Sequence, residues 1–145
     1  YGFILNDFPG VMEALHYDSL ELAKTAPDRL KDKHTNQSAE IFNYNRLKID
    51  AIIQYCLLHK IKVILISTPM YVTYIQNEIS EKNRRRKNYI DSLIKLPSVK
   101  YYDFENNKNF TVYDFKNDDH LNSNGANKFS KLMDSILIHS QNETP

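Results

Sequence analysis

The residues best suited to chemistry lie in one run, Phe115-Lys-Asn-Asp-Asp-His-Leu-Asn-Ser-Asn-Gly-Ala-Asn-Lys-Phe129. Histidine is the side chain best suited to take a proton and return it, which makes His120 the candidate base. Asp118 and Asp119 stand directly before it. A neighbouring carboxylate can hold the Nδ1 proton of an imidazole, fix its tautomer and leave Nε2 free as a base. Asp118 or Asp119 is the expected orienting acid. Asn117 is an uncharged alternative, as in Cys-His-Asn sites. Adjacent Asp, Asp and His lack the helical or hairpin spacing of metal ligands, so no metal is assigned and no cofactor is implied. Gly125 and Ala126 keep the entrance of the following helix narrow enough for close packing.

The pattern His120-Leu121-Asn122-x-x-Gly125-Ala126-x-x-Phe129 resembles the last sequence block of the SGNH/GDSL hydrolase superfamily, especially its secreted or membrane-associated acyl-transfer relatives. The resemblance covers about residues 40 to 138, and the His120 block is its specific part. It implies a three-layer, flavodoxin-like α/β fold with a parallel sheet. It also implies an ester hydrolase or O-acyl transferase acting on a cell-envelope or carbohydrate ester outside the cytoplasm. The catalytic residues carried over are His120 with Asp119 or Asp118. The family's Asp lies three residues before its His, where this chain has Asn117. The family's nucleophilic Ser, in a Gly-Asp-Ser or Gly-Ser-Ser-His context, has no counterpart. Tyr17-Asp18-Ser19-Leu20 copies some of its letters, but Ser19 falls in a helical pattern. Ile4-Leu5-Asn6-Asp7 resembles the end of the block that carries the family's oxyanion Asn, which makes Asn6 the oxyanion candidate. On that alignment the 145 residues form the C-terminal part of a longer SGNH-like domain whose nucleophile lies upstream.

Those residues must be held by a folded frame. A chain of 145 residues with 41% hydrophobic and 26% charged residues suits one globular domain, residues 1–145. One Cys excludes an intramolecular disulfide and a Cys-rich zinc site. A net charge of +1 offers no global field for nucleic acid or an anionic membrane. No stretch is long and apolar enough to span a bilayer. The first residues lack the basic start of a signal peptide, and the chain begins with Tyr1 rather than Met.

Periodicity and punctuation predict the elements. Tyr1–Leu5 reads as a strand, followed by the breaker Asn6–Gly10. Val11–Ala26 reads as a helix stopped by Pro27-Asp28, and residues 29–37 as a polar loop. Ser38 caps the next helix, whose stripe Ile41, Tyr44, Leu47, Ala51, Tyr55 and Leu58 is the expected core face. Lys62–Pro69 reads as a buried parallel strand covered on both faces. Residues 70–95 form one long helical segment, Val99–Phe104 a strand, and residues 105–111 a loop. A second loop ends at Asn124-Gly125, the last helix carries Phe129, Leu132, Met133, Ile136 and Leu137, and the tail from Ser140 should fray. Strands alternating with long helices predict an α/β layer fold with right-handed crossovers.

Other features take structural readings. Lys82, Arg84, Arg85, Arg86 and Lys87 form a basic run that points around a helix and reads as a solvated face rather than a nucleic-acid site, with an anionic surface or polyanionic polymer as a further alternative partner. Tyr44 and Tyr55 are expected in the core, and Cys56 as a small buried hydrophobe. The expected ligand is a small-molecule or polysaccharide ester. A fragment should leave a sheet edge open, or paired in a homo-oligomer. A different reading is a non-catalytic α/β binding module that has lost the nucleophile.

Overall fold

The computed structural model describes residues 19–34 and 38–142. The expected strand at Tyr1–Leu5 and the oxyanion candidate Asn6 lie outside these residues. The elements are α1 (Ser19–His34), α2 (Ala39–Leu58), β1 (Val63–Ser67), α3 (Val72–Asn77), α4 (Ser80–Leu93), β2 (Val99–Asp103), a 3-10 turn (Val112–Asp114), β3 (Phe115–Asn117), β4 (His120–Leu121) and α5 (Ser123–Asn142). The result is a mixed α/β fold dominated by helix.

β1 and β2 pair in parallel, with Val63 opposite Val99 and Ser67 opposite Asp103. Among the described residues this sheet has two strands, fewer than a three-layer flavodoxin-like sheet requires, and their outer edges pair with no other described strand. Ile53 of α2, Leu93 of α4 and Val99 of β2 form a buried cluster, with Leu57, Val63, Leu65, Tyr89 and Leu96 packed around it. A second, aromatic cluster seats α5. Phe129 meets Phe104 and Phe110 edge-on at 5.4 and 6.2 Å between ring centroids.

Several sequence expectations are corrected. The helix does not stop at Pro27-Asp28 but runs through Pro27 to His34. A proline inside a helix removes one backbone hydrogen bond and costs about 3 kcal/mol. Burial of Leu22, Ala26 and Leu30 on one stripe offsets this cost. Residues 70–95 are not one helix. Glu78 and Ile79 are extended, with ψ 138° and 112°, and split the segment into α3 and α4.

On α2 the predicted core stripe faces outward. Tyr44, Tyr55 and Leu58 are 61%, 60% and 79% exposed. The helix has a second apolar line, Phe42, Ile49, Ile53 and Leu57, and that line meets the sheet and α4. Tyr89 secures the contact by donating to Asp50 Oδ1 at 2.7 Å, while its ring meets Phe42 edge-on at 6.1 Å. Cys56 is half-buried rather than buried. β1 is covered incompletely, with Ile66 exposed. Asn124-Gly125 lies inside α5, which continues past Ser140 to Asn142.

Candidate active site

The site is a hairpin fastened to the carboxyl end of the parallel pair. Asn117 pairs with His120, which leaves Asp118 and Asp119 as the two turn residues. The Asn117 side chain supports the bend, its Oδ1 accepting from the Asp119 N–H at 3.4 Å. The Tyr71 N–H, just beyond β1, donates to the Asp118 carbonyl at 2.9 Å. The Met70 N–H donates to the Glu105 carbonyl beyond β2 at 3.1 Å. Helix α5 is locked to the same hairpin by Asn122, which is fully buried. Its Oδ1 accepts from the Gly125 N–H at 3.0 Å, capping the helix, and its Nδ2 donates to the Tyr113 and Phe115 carbonyls at 2.7 and 3.2 Å.

Three groups converge on His120 Nδ1. Asn117 Oδ1 is 2.9 Å away, Asp119 Oδ1 3.1 Å and the Arg29 guanidinium 3.3 Å. Two oxygen acceptors favour the tautomer that carries its proton on Nδ1. The His120 side chain is 59% exposed, and no described residue hydrogen-bonds Nε2. The ring can therefore accept a proton on Nε2 from a group that approaches through solvent.

The two acids have different surroundings. Asp119 reaches His120 and is itself gripped by Arg29, whose Nε donates to Oδ1 at 2.8 Å and whose Nη2 donates to the same oxygen. Burial alone would raise the Asp119 carboxyl. Its hydrogen bond from Arg29 and the charges of His120 and Arg29 outweigh burial and hold it below the usual carboxylate range. Asp118 faces away from His120 and is completely buried. Its Oδ2 accepts from Thr25 of α1 at 2.8 Å, and its Oδ1 from Thr73 of α3 at 3.1 Å. It ties the hairpin to two helices, so of the two expected acids only Asp119 lies within hydrogen-bond distance of His120. Side chains of adjacent residues in a turn point in different directions, which spacing alone could not resolve.

Arg29 was hidden by the expected loop over residues 29–37. The available signal was the continuation of Leu22-Ala26-Leu30 past Pro27, which places Thr25 and Arg29 one turn apart on a single face. Ser19 is exposed on the first turn of α1. Ser19 and Thr25 are six residues apart, roughly 9 Å along a helix. Among the described residues no group of His, Cys, Asp and Glu could hold a metal ion. No described helix is long and apolar enough to cross a membrane. Comparison with protein-family models, curated proteins and solved structures gives no match.

The carboxyls of Asp114 and Asp119 set an acid limit on stability. Burial would raise Asp114, but the Thr111 N–H and Lys128 Nζ, at 2.8 and 2.9 Å, pull it below its ordinary range. An unfolded Asp titrates near about pH 4. A lowered folded pKa gives stability that is full above that value and lost as pH falls through the folded one. Glu78, raised by burial, acts in the opposite sense. Urea unfolding at decreasing pH should show a loss of stability beginning near about pH 4. Arg29→Met and Lys128→Met should each make that loss shallower. An unchanged acid profile in both variants would rule out these ion pairs as its source.

Proposed function

We propose that this chain carries the histidine–acid part of an SGNH-like ester hydrolase or O-acyl transferase acting on a cell-envelope or carbohydrate ester. The observation that supports this reading is His120 itself, with Nδ1 held by Asn117 and Asp119 and Nε2 on the open side. The position of the site supports it too, because ligands of open α/β sheets bind beyond the carboxyl ends of the strands. In this reading a hydroxyl oxygen attacks the acyl carbon while His120 Nε2 takes its proton. The resulting imidazolium gives that proton to the departing alkoxide as the acyl–oxygen bond breaks. Water or a second alcohol then repeats the sequence on the acyl-enzyme. No described hydroxyl or thiol bonds Nε2, so the attacking group comes from outside the described residues, as does the oxyanion donor proposed at Asn6.

Arg29 favours a second reading, a binding module without catalysis. It engages the same Asp119 oxygen that faces His120 and so weakens support for an imidazolium. The two readings separate on the longest polypeptide that the gene encodes. A serine-reactive fluorophosphonate should give one adduct there, and a short-chain aryl ester should turn over. His120→Gln should lower that turnover by several orders of magnitude, on the order of 10⁶-fold where the histidine and nucleophile act as a unit. No adduct and no His120-dependent turnover would leave the binding module.

A further inference from the structure

The basic run on α4 is not a uniform solvated face. Arg86 turns inward and clasps Glu105 with both terminal nitrogens, Nη2 reaching Oε2 at 2.8 Å. The same Nη2 lies 3.3 Å from Glu78 and 3.1 Å from Asn83 Oδ1. Burial opposes its charge, but the Glu105 bonds prevail, and Arg86 is held protonated. Arg85 lies over the Phe42 ring, 4.8 Å from its centroid. Lys82 Nζ and Arg85 Nε are both buried without a hydrogen-bond partner among the described residues.

These groups line a cavity of about 310 Å³ whose wall is mainly apolar, from Leu30, Phe42, Met70 and Ile79. Three cations of α4, Lys82, Arg85 and Arg86, line it with one carboxylate, Glu78, and Arg86 is already paired with Glu78 and with Glu105. A buried ammonium and a buried guanidinium nitrogen without acceptors are costly and call for an anion. The cavity borders Met70, just beyond the end of β1, where open α/β folds bind ligands.

We propose that this cavity binds a small amphiphilic anion, whose phosphate or carboxylate head neutralises Lys82 and Arg85 and whose apolar body packs against Leu30, Phe42, Met70 and Ile79. Desolvation and the neighbouring Arg85 lower the Lys82 pKa, and a bound anion relieves the second effect. The inference does not depend on a catalytic role for His120.

The test is calorimetric titration of the full chain with hexyl phosphate and with hexanoate, hexanol serving as the neutral control. Saturable binding of at least one anion is expected, and the better of the two identifies the head group. Lys82→Met and Arg85→Met should each weaken that binding by roughly tenfold or more, the scale of a lost charge-assisted hydrogen bond. Amide shift mapping on the unsubstituted chain covers the case in which either variant fails to fold. Shifts should centre on Leu30, Phe42 and residues 78–86. No saturable binding, equal binding of hexanol, or shifts centred elsewhere would overturn the proposal.

Discussion

Replacing Gly125 with alanine is expected to destabilise the domain by about 3 kcal/mol, or to prevent folding. Gly125 lies inside α5, where helix propensity alone predicts the opposite sign, because alanine is favoured over glycine by about 0.5–1 kcal/mol. Local packing decides the matter. A Cβ on Gly125 would stand 2.0 Å from the Asp114 carbonyl oxygen and 2.9 Å from its carbon, with Leu121 Cδ2 at 3.0 Å. The nearest obstacle is backbone and cannot rotate away. That carbonyl also accepts from the Asn122 N–H at 3.0 Å, so moving it breaks the joint between the 3-10 turn and the helix entrance. Thermal unfolding should show a fall in Tm of about 10 °C. A neutral or stabilising Gly125→Ala would mean that the 3-10 turn and α5 are packed less closely than these distances require.

Asp118→Ala is expected to cost about 3 kcal/mol, although Asp118 lies beside the proposed catalytic residues in sequence. Its carboxylate joins α1 to α3 through Thr25 and Thr73 and is wholly enclosed. Alanine would leave a small cavity and two hydroxyls without their acceptor. In Asp118→Asn the amide oxygen can still accept from one threonine, and the amide nitrogen can donate to the hydroxyl of the other, so about 1 kcal/mol is expected. Asp119→Asn should remove the Arg29 ion pair with its acid-sensitive share of stability, and in addition cause a loss of His120-dependent turnover that can approach 10⁴-fold, on the order seen when the orienting acid of a triad is replaced. Urea unfolding and ester turnover of the same variants decide the assignment. If Asp118→Asn removed turnover while Asp119→Asn left it intact, the orienting role would pass to Asp118.

The sequence by itself determined which segments carry the frame and where the candidate histidine lies. Val63–Ser67 is legible as a parallel strand because a continuous apolar run between breakers has few other uses, and Val99–Asp103 is legible as a strand between Pro97 and an Asn-rich loop. Ser38 is legible as a cap, and its hydroxyl accepts from the Ile41 N–H at 3.2 Å. The helix-entrance pattern around Asn122 and Gly125 could be read for the same reason, since such bonds join residues close in sequence. Decisions among locally equivalent options lay with the tertiary structure. The 3.6-residue period of α2 fits two apolar stripes, and contact with Leu93 and Val99 selected the one through Ile53. Pro27 is a stop signal locally, but burial of Ala26 and Leu30 carried the helix past it. That continuation brought Arg29 across 90 residues of sequence to Asp119, a pairing that no local spacing records. Asp118 and Asp119 are chemically identical neighbours, and only the packing of α1 and α3 against the hairpin turned one inward as a structural tie and the other toward His120.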